Sequence, residues 1–275
     1  MKKNHVDVCL EFNPELLLSK LVPECRQALK DCEFFDEIDS TNQYLLTRVN
    51  DETTLPRVCF ANRQTQGRGR RGRCWESSGQ ENIYMSLAYL FAESSQEVGN
   101  LSLVMGIAVS RVLRQRGVDA AIKWPNDILV GGEKIAGILI ETKMKAGQQV
   151  LMVIGVGLNV KMKEHGRNID QPWTDIYQQL GELGKFERSE LAGDLLSEIM
   201  LLIDEYRQQG FKKFKDEFGV LDLCYQQQLS IETNGKTLTG KGLGVDEQGR
   251  LCVEIDDKPQ CFYAAEVSIR IPVCC

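Results

Sequence analysis

No apolar run in the 275-residue sequence approaches the roughly 18 residues that a membrane-spanning helix needs. The strongest candidate, Val150–Val160, is short and interrupted by Gly155 and Gly157. No secretory leader is visible, because Asp7, Glu11 and Asn13 break up any apolar stretch behind the basic start Met1-Lys2-Lys3. There is no internal repeat with a period of about 20–50 residues, no low-complexity tract and no C-x-x-C pair. Glycine and proline are modest and charge is mixed, which excludes collagen-like and disordered classes. These absences lead to an expectation of a cytoplasmic globular protein that does not bind membranes. The ten cysteines are scattered along a chain large enough to fold without staples, so they read as free thiols, with Cys274-Cys275 as a loose end. A net charge of −6 argues against bulk nucleic-acid binding and requires any concentrated basic segment to have a local purpose.

The chain length suits one large domain and one small one. Residues 1–33 read as a short N-terminal extension with helical character around Glu15–Leu29, too brief for a helix-turn-helix domain. Between residues 34 and 222, strand-like runs at Arg57–Ala61, Ile83–Phe91, Ala120–Val130, Lys134–Glu141 and Val150–Val160 alternate with helical patterns at Leu101–Leu113 and Leu191–Tyr206. Gly131-Gly132-Glu133 reads as a hairpin turn that sets Lys134 at a strand start. From 223 to 275 the texture becomes short alternating runs, Leu229–Thr233, Thr237–Leu243, Leu251–Ile255 and Phe262–Ile271. The expected fold is therefore α+β, with one central sheet covered by helices on one face, followed by a small β-barrel.

The one basic segment is Gly67-Arg68-Gly69-Arg70-Arg71-Gly72-Arg73. It satisfies G-x-G-x-x-G literally, but a dinucleotide loop opens a helix, whereas strand formers follow here from Asn82 to Phe91. Its chemistry suits an anion: glycines free backbone N–H groups to turn inward, and arginine forks add charge-assisted bonds to carboxylate or phosphate. An RGG-type nucleic-acid segment or a solvated basic turn would be written the same way, although neither explains the ordered flanks and Trp75.

Asp39-Ser40-Thr41-Asn42, Gln64 with the Gly67–Arg73 loop and Trp75, Lys123-Trp124-Pro125-Asn126-Asp127, Lys134-Ile135-Ala136-Gly137-Ile138-Leu139 and Gly155-Val156-Gly157-Leu158-Asn159 occur in this order. Together they resemble the biotin-protein ligases, from about Phe34 to the C-terminus. The resemblance implies a mixed sheet with helices on one side and an SH3-like barrel. It also implies a two-step reaction, in which ATP and magnesium activate biotin as biotinyl-AMP and the biotin then passes to a lysine of a biotin carboxyl carrier protein. Some members carry a repressing N-terminal winged helix, and residues 1–33 are expected to be too short for one.

By the same resemblance Arg68, Lys134 and Asp127 are the catalytic candidates. Ser40, Thr41, Asn42, Gln64, Arg68, Gly69, Arg70, Lys134, Gly137, Gly155 and Gly157 would hold biotin. Arg68, Arg70, Arg71, Arg73, Trp75, Lys123, Asn126, Lys134 and Asn159 would hold ATP or the adenylate, with magnesium near Asn126 and Asp127. The residue chemistry agrees with these roles. Two unit negative charges about 4 Å apart repel by roughly 4 kcal/mol at an effective dielectric near 20, so a carboxylate meeting a phosphate needs convergent cations. The ureido ring needs directed neutral donors and acceptors, which Ser40, Thr41, Asn42 and Gln64 supply. The acceptor amine must lose a proton before attack, and Asp127 is the candidate to take it. Structural readings stand beside these: Ser40-Thr41 as a helix cap, the glycines as strand bulges, Asp127 as a turn residue. A lipoate-protein ligase and a non-catalytic biotin sensor are the alternative functions, and a homodimer through exposed sheet edges is a further expectation.

Overall fold

The computed structural model describes residues 12–49, 54–77, 81–92, 95–145, 149–162, 169, 171–181, 187–233 and 235–271. Residues 1–11, Cys9 among them, and Cys274-Cys275 lie outside these. In chain order the elements are α1 (Pro14–Ser19), α2 (Pro23–Ala28), β1 (Asp31–Ile38), α3 (Thr41–Arg48), β2 (Arg57–Gln64), β3 (Ile83–Ala92) and α4 (Ser95–Gln115). They continue as β4 (Ala121–Lys123), β5 (Asp127–Val130), β6 (Glu133–Lys145), β7 (Gln149–Leu158), α5 (Ile176–Leu180), α6 (Arg188–Gln209) and α7 (Lys215–Leu221). The last are β8 (Gln228–Thr233), β9 (Lys236–Val245), β10 (Leu251–Ile255), β11 (Lys258–Phe262) and β12 (Ser268–Arg270). Two compact units emerge, Met1–Ala92 with Leu139–Ser197, and Glu93–Ile138 with Glu198–Cys275.

In the first unit β1 pairs with β2 in parallel, from Asp31 opposite Arg57 to Ile38 opposite Gln64. Strands β2 with β3 and β3 with β7 are antiparallel, and β7 neighbours β6, so the sheet is mixed as expected. Helix α3 packs on β2, β3 and β7. Its inward positions Leu45 and Val49 recur at helical spacing and are buried with Cys59, Ala88, Leu151 and Val153. This packing fixes the first turn of α3, which carries Thr41 and Asn42.

In the second unit the opening stretch of β6 pairs with β5, and β5 pairs with β4. The run Ala120–Val130, read from sequence as one strand, is two, because Pro125 has no N–H to give to a ladder and the chain turns at Trp124-Pro125-Asn126. The β5–β6 turn is as expected, with Gly131 (φ 58°) and Gly132 (φ 89°) both left-handed. Helix α4 buries Leu101, Val104, Met105, Ala108 and Val112 and packs on β4, β5 and α7. Arg111 ties helices together with a two-pronged bond to Glu217 (2.6 Å each) and a third bond to Glu198 (2.8 Å). The C-terminal strands form an antiparallel five-stranded sheet in the order β11-β10-β9-β8-β12, the small SH3-like domain that was expected.

The sequence reading needs further corrections of detail. The helical segment around Glu15–Leu29 is two short helices, the second opening at Pro23. The run Phe262–Ile271 divides between β11 and β12, and β11 was missed because it is an exposed edge strand containing Pro259. The cysteines are not all free: Cys252 and Cys261 form a disulfide. The hairpin turn at Asp256-Asp257 sets them directly opposite on β10 and β11, with Cα atoms 4.2 Å apart, a pairing that no C-x-x-C spacing announces. Cys32, Cys59, Cys74 and Cys224 are free thiols.

Asp222 follows α7 and accepts the Cys224 N–H at 2.8 Å. Burial pushes its carboxyl up to about 6, against the opposing pull of that hydrogen bond. Between its ordinary value near 3.9 and about 6, the folded chain holds a proton that the unfolded chain has lost. Its favourable contribution is therefore complete below about pH 4 and is lost as pH rises through 6. Asp222→Asn keeps the acceptor oxygen and removes the charge. Denaturant unfolding should show the variant more stable than the parent by about 1–2 kcal/mol at pH 8, with the gap closing at pH 4.

Candidate functional site

The sequence candidates fall into two clusters, one in each unit. In the first, Ser40 caps α3, its hydroxyl 3.4 Å from the Gln43 N–H, so the cap reading of this residue holds. The cap delivers Thr41 and Asn42 into the sheet, where both are buried. Gln64, at the end of β2, accepts from the Thr41 N–H (2.9 Å) and hydroxyl (3.1 Å). Ser86 on β3 donates to Asn42 Oδ1 at 2.6 Å and lies 2.7 Å from the Thr41 hydroxyl. Asn42 Nδ2 donates to Glu141 Oε2 (2.9 Å) and to the Leu139 carbonyl (3.3 Å). Glu141 Oε1 receives Arg68 Nη2 at 2.8 Å, and Arg68 Nη1 donates to Gln43 Oε1. One hydrogen-bonded series thus runs from Gln64 through Thr41, Ser86, Asn42 and Glu141 to Arg68.

Gly155 and Gly157 lie two residues apart on β7 and so share a face. A Cβ on Gly155 would lie 2.3 Å from Asn42 Oδ1, and one on Gly157 would lie 2.5 Å from the Trp75 indole. The room left over these glycines is taken in this structure by the chain's own Asn42 and Trp75. The arginine loop folds back as a small hairpin, with Arg68 bridged to Cys74, the Gly69 N–H bonded to the Arg73 carbonyl (2.7 Å) and the Trp75 N–H to the Gly67 carbonyl (2.9 Å). Arg70 and Arg71 form its tip with Gly72, and Arg71 (φ 57°) is left-handed. Asn159 is buried, and its amide donates to the Thr174 carbonyl at 3.0 Å.

The second cluster gathers Lys123, Asn126, Asp127, Lys134 and Gly137. Asp127 is directly opposite Lys123 across β4–β5 and opposite Gly137 across β5–β6. The Lys134 ammonium reaches Asp127 at 2.7 Å, with both side chains about four-fifths covered. Asn126 pins β6, its amide donating to the Ile138 carbonyl (2.8 Å) while its own carbonyl accepts the Ile138 N–H (3.0 Å). The cation and carboxylate singled out from sequence are therefore a pair in contact.

Gln43, Ser86 and Glu141 were not anticipated. The available signals were a serine in the largely apolar run Tyr84–Ala88, and a carboxylate on the same strand face as Gly137. Burial pushes the Cys32 and Cys224 thiols up to about 12 and Cys59 well upward, so these three are held protonated and unreactive. Among the described residues, the group of metal-ligating side chains close enough to share an ion is Asp246, Cys252 and Cys261. Its sulfurs are joined to each other and its carboxylate is engaged by Arg250.

Neutral polar readers beside a carboxylate-gripping arginine in one unit, and a lysine–aspartate pair in the other, are the chemistry of a class: enzymes that activate a carboxylic acid for transfer. The description Biotin/lipoate A/B protein ligase family matches residues 34–159, and that of the Biotin protein ligase C terminal domain matches 227–270. The chain is 34% identical over 235 residues to the bifunctional ligase/repressor BirA of Escherichia coli, covering 85% of this chain and 72% of that one. It is 30% identical over 235 residues to the biotin--[acetyl-CoA-carboxylase] ligase of Mycobacterium tuberculosis, covering 83% and 85%. The biotin protein ligase from Aquifex aeolicus in complex with biotin and ATP superposes with a TM-score of 0.76 at 26% identity, covering 88% of this chain and 100% of that one. The chain belongs to the biotin/lipoate A/B protein ligase family, and its C-terminal match places it with the biotin protein ligases rather than with the lipoate enzymes.

The Trp75–Gly157 contact can be read by fluorescence. Gly157→Ala should push the indole off β7 and shift its emission to longer wavelength. The shift should vanish when Trp75→Phe is added, which separates it from any change at Trp124 or Trp173.

Proposed function

We propose that this protein is an ATP-dependent biotin-protein ligase acting on a lysine of a biotin carboxyl carrier protein. In this reading residues 34–222 form the catalytic domain and 223–275 the small β-domain. The observation that carries it is Arg68: its guanidinium already grips a carboxylate, that of Glu141 at 2.8 Å, beside the buried neutral readers Thr41 and Asn42. The ureido ring of biotin takes its directed hydrogen bonds from Ser40, Thr41, Asn42 and Gln64, and its carboxylate takes Arg68, with Gly69 and Arg70 contributing from the loop. Arg71, Arg73, Trp75, Lys123, Asn126 and Asn159 are assigned to ATP and the adenylate.

In the first half-reaction a carboxylate oxygen of biotin attacks the α-phosphorus of ATP. A new P–O bond forms, the bond to the bridging oxygen breaks, and pyrophosphate leaves. Lys134 and Arg68 stabilise the charge that builds on the transferring group. Asn126 and Asp127 offer one carboxylate and one amide, a set that fits a magnesium ion arriving largely on substrate phosphates, and such an ion would neutralise phosphate charge. In the second half-reaction the acceptor amine attacks the acyl carbon, AMP departs, and Asp127 takes the proton. An unperturbed lysine, with a pKa near 10.4, is neutral in only about one molecule in 10³ at pH 7.4, which is why a carboxylate is needed there. The cysteines have no role in these steps. A cytoplasmic location and a homodimer through an exposed edge such as β1 belong to the same reading.

Mixing the protein with biotin and ATP-magnesium and analysing the products by mass spectrometry tests it. Biotinyl-AMP with pyrophosphate is the expected outcome. Binding of biotin without either product would make the protein a sensor, and activation of lipoate instead would move it to the neighbouring specificity.

The two halves separate genetically. Lys134→Ala should reduce pyrophosphate release by about 10²–10³-fold. Asp127→Asn should slow transfer from preformed biotinyl-AMP by about 10²-fold or more, at least tenfold beyond its effect on adenylate formation. Single-turnover measurements of each step check both, and equal losses in the two steps for Asp127→Asn would remove its assignment as the base.

A further inference from the structure

Glu141 is assigned no role above, yet it is the joint of the hydrogen-bonded series. Its two carboxylate oxygens are spent on different partners, Oε1 on Arg68 Nη2 at 2.8 Å and Oε2 on Asn42 Nδ2 at 2.9 Å. Its side chain is 20% exposed and that of Arg68 is 42% exposed, so the pair sits at a rim that solvent and ligand reach. Asn42 cannot drift to follow it. Ser86 holds Oδ1 at 2.6 Å, and Gly155 leaves only enough room for the amide as placed. Arg68 is likewise tethered through Nη1 to Gln43.

Guanidinium recognises carboxylate through a planar fork, and the edge of the fork that Glu141 holds cannot at once be given to a second carboxylate. We propose that Glu141 is a specificity-determining positioning residue. It is a resident carboxylate that holds Arg68 until the carboxylate of the small-molecule substrate replaces it, and its other oxygen ties this exchange to the ring-reading Asn42. This inference rests on the assignment of Arg68 to the substrate carboxylate. A ligand that engages Asn42 loosens one side of Glu141 and so lowers the cost of taking Arg68. A simple carboxylic acid without the ring has no such help and meets an occupied arginine. Glu141 thereby makes the site answer to ring and carboxylate together rather than to either alone.

The test compares biotin with biotinol, its analogue in which the carboxyl is reduced to an alcohol, by isothermal titration without ATP. In Glu141→Gln the side chain can still accept from Asn42 but no longer competes for Arg68 as a charge. Biotin should bind about three- to fivefold more tightly than to the parent, a modest gain because the pair is partly solvated, while biotinol should change by less than about twofold. Glu141→Asp, which withdraws the carboxylate by one methylene, should move the biotin-to-biotinol affinity ratio in the same direction and serves if the glutamine variant folds poorly. Arg68→Gln provides the control and should collapse the ratio. If Arg68→Gln collapses the ratio but both Glu141 variants leave it unchanged or weaken the two ligands in parallel, Glu141 is only a brace and the inference is wrong. If Arg68→Gln leaves the ratio unchanged, Arg68 does not read the carboxylate, and both the inference and the assignment beneath it fail.

Discussion

The placement of Asn42 against the bare backbone of β7 is the constraint from which the rest of the first unit's site follows. An amide side chain brought to within 2.3 Å of where a Cβ would stand can exist there only because residue 155 is glycine. It can remain there only because Ser86, Leu139 and Glu141 satisfy it on its other sides. Removing a buried amide from water without such partners would cost about 1–3 kcal/mol per unmet group. The satisfied network turns that cost into a fixed orientation, because each member is held by two others. Helix α3 contributes by starting where it does: the Ser40 cap ends the β1 chain path and sets Thr41 and Asn42 on the first turn, while Leu45 and Val49 lock the helix into the core behind them.

Charge is handled differently in the two clusters. Around Thr41 and Asn42 the partners are neutral, apart from Glu141 at the rim, and neutral groups lose little when a neutral ring replaces their mutual bonds. Around Lys134 the partners are ionic. An ammonium and a carboxylate stand 2.7 Å apart and largely covered, so each offsets part of the other's cost of leaving water. A phosphate entering beside Lys134 is drawn to the lysine and repelled by Asp127. An amine entering beside Asp127 experiences the opposite pair of forces. In the proposed reaction, contact between Lys134 and Asp127 therefore links the group that serves phosphoryl transfer to the group that serves proton removal.

Much of this was legible in the sequence where local chemistry is unusual. Clustered arginines between glycines, neutral polar residues before a helix, and glycines at period two in an apolar strand each depart from what a core or a solvated surface would need. Those departures fell on residues that the fold gathers into two clusters. What was not legible depends on partners distant in sequence. Glu141 looks like any outward strand carboxylate until Asn42, 99 positions away, is placed beside it. Ser86 gains its meaning from Asn42 across 44 positions. Strand β1 escaped notice because Asp31, Glu33, Asp36 and Glu37 give it the composition of a surface loop, and it is a strand because its half-covered edge pairs with β2. The Cys252–Cys261 pair was hidden for the same reason, since only the β10–β11 register sets the two residues opposite each other.

The arginine loop joins these levels. Backbone bonds between Gly67 and Trp75 and between Gly69 and Arg73 close its hairpin, and Gly67 leaves room where a side chain would collide with the Trp75 carbonyl. Arg68 spends its guanidinium outside the loop, on Gln43 and Glu141, and can be committed to another acceptor without unravelling the turn. That separation allows one guanidinium to exchange partners. A residue that both shaped the loop and bound the anion would lose the loop whenever it changed its bond, whereas here the fold of the hairpin survives the exchange and the charge is left to choose between the protein's carboxylate and the substrate's.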